Sequence, residues 1–311
     1  MILRWLADRG PWVLVAGILA GLLLPGLAAL LVPYIPHMVA GLLFLSALRI
    51  GPARMRASMK GNLRGTLVVL LLAQLAFPLA AIAVMAAFGL LGSPFALAFV
   101  IIAMASSISG APNMVAMMGF EPETSMRFLL IGTAILPATV IPVLWLMPAL
   151  GGFADVILAA LRLLVVIGLS SLLAFLIRGF AWRDPSPEEL RGIDGVSALL
   201  LAVIVIGLMS AVNAALMDAP RLFWLWLGFV LVVNFGLQGL AFLGLRGGPD
   251  ADRVAALTVM AGNRNIALFL VALPEAVTAP LLIFIGCYQI PMYLTPLVTG
   301  RVLKGLDRGT G

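Results

Sequence analysis

The chain has one cysteine, one histidine and two lysines, and only 10% of its 311 residues are charged. Each scarcity removes a class of function. A lone cysteine, Cys287, rules out an intrachain disulfide and a cysteine-based metal cage. One histidine and two lysines, the latter both in polar connections, leave no nucleophile with its base and no serine–lysine pair, so the sequence points away from an enzyme. Charge at 10% beside 63% hydrophobic residues falls well short of the roughly one quarter typical of a soluble globule, and the mean hydropathy of +1.18 agrees. The chain reads as an all-α polytopic membrane protein whose constant partner is the lipid bilayer. Its long apolar runs with short polar punctuation suit helices better than the ~10-residue alternating strands of a barrel. The pI near 10.4 then reflects arginines beside membrane spans, not a nucleic-acid surface.

Segments of about 20 apolar residues predict ten spans, near 11–32, 34–50, 65–90, 95–118, 126–148, 156–178, 194–217, 221–245, 252–273 and 277–299. Arg4 and Arg9 ahead of an apolar stretch resemble a signal peptide. That stretch continues to about Val32 without a clear cleavage context, and reads as the first span. With the N-terminus in the cytoplasm, Arg49, Arg54, Arg56, Lys60 and Arg64 share one inner loop and Arg178, Arg183 and Arg191 another. Arg246 and Arg253 are also inside, and Arg301, Lys304 and Arg308 form an inner tail. Only Arg221 breaks the positive-inside pattern clearly, and Arg162 is expected to snorkel from the outer end of the sixth span. The expected location is the inner (cytoplasmic) membrane, multi-pass, with both ends inside.

The spans also lack carboxylates, since every Asp and Glu, Asp307 included, falls in or near a loop or end. Against that background the run Ala261-Gly262-Asn263-Arg264-Asn265 stands out, in the middle of the membrane-length segment from about Val254 to Leu273. Arginine keeps its proton at any relevant pH. A charge near the bilayer centre costs at least ~2.5 kcal/mol, so something must answer it.

The run has an internal echo. Ser106-Ser107-Ile108-Ser109-Gly110-Ala111-Pro112-Asn113 in the fourth span aligns with it, Gly110 on Gly262 and Asn113 on Asn265, and the preceding spans each carry a central glutamine, Gln74 and Gln238. Five spans followed by five start on opposite sides of the membrane, so the repeats, 1–150 and 151–311, must be inverted. In such repeats broken helices meet at mid-membrane and form a transporter site. The freed backbone of such breaks persists only against protein or a wet cavity. Small residues packing helices closely would be the plainer reading of either segment alone.

In Gln74 and Pro78, the fourth-span segment ending in Asn113, Gly262-x-x-Asn265, and Gly286-Cys287-Tyr288-Gln289-Ile290, the chain resembles the bile acid:sodium symporter family over nearly its whole length. The resemblance implies ten helices in panel and core domains, helices four and nine broken and crossing, and alternating access. It also implies sodium ligands: an acid early in the span-nine motif, a glutamine four positions later, the span-four asparagine, the span-three glutamine and span-five hydroxyls. This sequence keeps Gln74 and Asn113 but has Met260 for the acid, Arg264 for the second glutamine, Pro112 for a serine, and only Thr133 near the hydroxyls. A site holding an arginine is electrostatically hostile to Na⁺.

The expectation is a secondary transporter of a small organic anion that needs no cofactor, with Arg264 replacing the bound cation. Gln74, Asn113 and Asn265 form its neutral ring, Asn263, Gly110, Pro112 and Gly262 belong to the breaks, and Gln289 faces the substrate. The guanidinium fork suits a substrate carboxylate, and helix ends at the breaks would add N–H groups for an anion. Alternatively, Arg264 only braces the crossing through backbone carbonyls. The rival function is a sodium-coupled symporter using carbonyls, Gln74, Asn113 and Asn263; a non-transporting sensor is more remote, and a channel lacks a continuous polar path. His37 reads as interfacial, Arg127 as a loop ion pair with Glu121 and Glu123, Trp224 and Trp226 as an interfacial belt, and Asn213 and Asn234 as helix-to-helix hydrogen-bonding groups.

Overall fold

The computed structural model describes residues 2–59, 62–248 and 250–305, all as helices, turns and loops. Lys60, Asp307 and Arg308 lie outside the described residues. Seven of the described helices are long and apolar enough to cross a membrane: Pro25–Ser58, Leu63–Ala87, Glu123–Trp145, Phe153–Ala181, Pro187–Asp218, Pro220–Leu245 and Glu275–Leu303. A bent pair, Ile2–Asp8 with Trp12–Leu23, makes up to eight.

The differences from the ten expected spans have local causes. The fourth and ninth are not continuous: helices Pro94–Met104 and Ala111–Met117 flank one break, and helix Ala251–Gly262 ends at another. The boundary between the first two spans falls not near residue 33 but at Leu24, where the following Pro25 disfavours helical backbone. The second span runs past residue 50 to Met59, with a kink at Gly51 (φ 71°), a left-handed conformation that glycine alone adopts at no steric cost.

The chain folds into two compact units, each drawing on both sides of residue 150. The first comprises Met1–Ala57, Arg162–Leu225 and Ala267–Gly286. In it helix Gly10–Leu23 packs on helix Pro187–Asp218 through Gly17 and Gly21. A Cβ at Gly17 would lie 2.9 Å from the Ala202 carbonyl oxygen, and one at Gly21 2.8 Å from that of Ile206. Glycines four apart thus let the backbones touch, the usual means of helix association in lipid, where apolar side chains gain little by leaving the bilayer. Asn213 caps the break at Leu24, its side-chain amide donating to Leu22 O at 2.5 Å. Arg162 reaches the carbonyl of Ala272 at 3.5 Å, a helix-end partner where only snorkelling had been expected.

The second unit comprises Ser58–Leu161, Trp226–Ile266 and Cys287–Gly311, and contains both breaks. Leu70, Phe128, Ile131, Leu257 and Met260 form one of its apolar clusters. Trp226, read from sequence as part of an interfacial belt, is buried against Phe95 with ring centroids 4.2 Å apart; Trp224 is exposed. Arg127 pairs with Glu123 one turn away, as the spacing suggests.

Gly21→Val should therefore cost about 1–3 kcal/mol through overpacking against a backbone that cannot retreat. Gly26→Ala, with open space around the new methyl, should be neutral or stabilising. Thermal melts in detergent compare the two.

Candidate functional site

Both breaks arise where glycine, serine and asparagine interrupt apolar helix, and both leave extended backbone. Ala105 (ψ 150°) ends helix Pro94–Met104, and Asn263 (ψ 91°) ends helix Ala251–Gly262. The two extended stretches pair antiparallel through a bridge between Ser107 and Arg264. Ile108 N donates to Asn263 O at 3.1 Å and Asn265 N to Ser106 O at 2.8 Å. Each break thus answers backbone groups freed by the other, groups that would cost several kcal/mol apiece if left bare in lipid.

Two helices end at this junction, and their last carbonyls carry the negative end of the helix dipole. Arg264 sits between them. Its Nη1 donates to Ala105 O at 3.0 Å and its Nε to Ala261 O at 3.2 Å, so one guanidinium caps the C-terminal ends of both half-helices. Hydrogen bonds made by a charged group contribute about 1.5–3 kcal/mol each. Two of them offset the minimum insertion cost without any acid. Among the described residues no acid pairs with it: the ion pairs are Arg4–Glu188, Arg49–Asp194 and Arg127–Glu123. Arg264 is 4% exposed. Its Nη2 donates to no described residue and is not among the buried unpaired atoms, which leaves it the reachable edge of the group.

A buried polar ladder holds Arg264 from behind. The Tyr288 hydroxyl accepts from Arg264 N at 3.0 Å and donates to Gly262 O. Asn234 Nδ2 also donates to Gly262 O, at 2.5 Å. Thr295 donates to Asn263 Oδ1 at 3.1 Å and receives from Gln238 Nε2 at 3.1 Å, while Thr299 donates to Gln238 Oε1 at 2.6 Å. Glycine at 262 is required by this crowding, because a Cβ there would meet the Asn234 carbonyl and lie 2.6 Å from Gln238 Cγ. Thr295 and Thr299 escaped the sequence reading and Tyr288 was given no role of its own, although their spacings of seven and four put them on one helix face.

The other expected site residues divide into two groups. Asn113 is exposed and Asn265 partly exposed. Pro112 and Gly110 open the helix Ala111–Met117, where proline's missing N–H costs nothing. Gln289 is buried on the helix that carries Tyr288. Met260, where the resembled family would place an acid, packs among Leu70, Phe128 and Ile131. Gln74 lies in a widened turn, Leu72–Ala76, against Gly132, with both amide atoms buried and unpaired. Its echo Gln238 is fully bonded, partly to Asn234 one turn back; the residue one turn before Gln74 is Leu70. Thr133 donates to Ser106 Oγ at 3.3 Å, which ties the span-five hydroxyl to the first break.

No protein-family model matches the chain, and no curated protein matches it.

Tyr288→Phe should leave the buried Arg264 amide without its acceptor and destabilise the protein by about 1–3 kcal/mol. Asn113→Ala, at an exposed position, should stay within about 0.5 kcal/mol of wild type. Denaturant or thermal unfolding in detergent reads both.

Proposed function

We propose that the chain is a secondary transporter of a small organic anion, working by alternating access without sodium, with Arg264 as a built-in replacement for a bound cation. The observation that carries this reading is the guanidinium of Arg264 capping the carbonyl ends of two half-helices at paired breaks. Such carbonyl ends are where carriers built on broken helices hold a coupling cation. Here the cation is covalently attached. Met260 supports the same conclusion, because an apolar contact set offers a metal ion no ligand.

The architecture proposed is ten spans in two inverted repeats, 1–150 and 151–311, with the first compact unit as panel and the second as core. Support comes from the way each unit draws on both repeats and from the matched breaks. Membership in the bile acid:sodium symporter family, which the chain resembles, is part of the proposal, as is an inner-membrane location with both ends in the cytoplasm. The substrate class follows from the donors left over. Arg264 Nη2 has no hydrogen bond to a described residue, and Asn113 is exposed and Asn265 partly exposed; a guanidinium edge with amide donors suits a carboxylate. Bracing and recognition are then two duties of one side chain, Nε and Nη1 for the first and Nη2 for the second.

Sodium-coupled transport retains one favourable observation, the unpaired Gln74 Oε1. Uptake of radiolabelled small carboxylates into proteoliposomes, with choline in place of sodium, separates the readings. Wild type is expected to transport in choline, and Arg264→Met to abolish uptake. The same variant should lose about 2–6 kcal/mol of stability, because two buried carbonyls each lose a partner at about 1–3 kcal/mol. Uptake that requires sodium, or undiminished uptake by Arg264→Met, would overturn the proposal.

A further inference from the structure

A second arginine is held in place without a counter-charge, in the first unit. Helix Phe153–Leu176 ends in a widened turn, Ile177–Ala181, and Arg178 lies in that turn. Its Nη1 donates to Trp182 O at 3.1 Å. The rest of its guanidinium lies on Gly51, where a Cβ would fall 2.8 Å from both Nε and Nη2. The positive φ at Gly51 and the absence of a side chain there create this seat together. Nε is buried with no hydrogen-bond partner, and Nη2 has none among the described residues.

Three acids of this unit are engaged elsewhere. Asp194 is held by Arg49, Glu188 by Arg4, and Glu189 accepts from Ser186 N at 2.7 Å in a helix cap. Exposed Asp184 makes no ion pair among the described residues and lies open to solvent screening. Arg54 and Arg56, just past Gly51, and Arg183, whose Nε is bound to Gly179 O at 2.8 Å, are exposed and add positive charge. Leading away from Arg178 along its own helix, Leu169, Leu172, Leu176 and Phe180 are exposed at spacings of three and four, hence on one face.

We infer that Arg178, seated on Gly51, binds the phosphate of an anionic phospholipid, whose acyl chains lie along the exposed face Leu169–Phe180. The shared chemistry is a phosphate oxygen accepting from a guanidinium edge. The adjoining apolar face selects a lipid over a free anion, and basic seats between helices at a membrane surface recognise such headgroups.

The test is native mass spectrometry together with melting of the purified full chain in detergent, with added phosphatidylglycerol, phosphatidylcholine or inorganic phosphate. Wild type should retain phosphatidylglycerol in preference to phosphatidylcholine and melt higher with it, while inorganic phosphate alone has no effect. Arg178→Gln should weaken retention at least about fivefold. Arg178→Lys should retain part of it, and Arg56→Gln nearly all. Equal retention of the two lipids by wild type, stabilisation by inorganic phosphate alone, or undiminished phosphatidylglycerol binding by Arg178→Gln would each overturn the inference. If Arg178→Gln does not fold, the lipid preference of wild type and the Arg178→Lys result decide the matter.

Discussion

One guanidinium bonded to two helix-end carbonyls organises the centre of the second unit. Two apolar helices stop in mid-span, each presenting carbonyls that nothing in lipid can satisfy, and each stop would be untenable alone. Pairing the two breaks satisfies part of the backbone, through Ile108 to Asn263 and Asn265 to Ser106. The negative ends of both half-helices still converge, and only a cation relieves that. Arg264 provides it, at 3.0 and 3.2 Å from Ala105 O and Ala261 O. That no described acid pairs with this arginine is then no defect, because the charge is balanced by dipoles rather than by a carboxylate.

The two halves use similar sequences differently. In the second half Gln238 is locked between Asn234, Thr295 and Thr299, and through Asn263 and Tyr288 that ladder fixes the backbone on which Arg264 rides. In the first half Leu70 and Gly132 stand beside Gln74, and its amide is left unpaired. A fully satisfied buried network rigidifies, whereas an unpaired buried amide is costly. The rigid half is the one that carries the charge.

Much of this was legible in the sequence, for physical reasons that can be named. A permanent charge in an apolar run is conspicuous, and so are glycine, serine and asparagine clusters in membrane helices; both breaks and Arg264 were found that way. What Arg264 bonds to was not legible, because backbone carbonyls carry no sequence signature. Thr295 and Thr299, and the bonding role of Tyr288, were hidden because isolated hydroxyls in apolar helices look like ordinary packing. The burial of Trp226 was not legible because aromatic residues near a span end suit an exposed belt and a buried ring contact equally well, and only the partner, Phe95, decides. The break at Leu24 did have a signal in Pro25, but the apolar run across it is unbroken.

The melting temperature of the purified protein in matched sodium and choline chloride, measured for wild type and for Arg264→Gln, tests most directly whether Arg264 does the work of a bound cation. The expected result is that wild type melts at the same temperature in both salts, while Arg264→Gln melts lower in choline and recovers in part with sodium. A wild type stabilised by sodium over choline, or an Arg264→Gln variant as stable as wild type in choline, would contradict it.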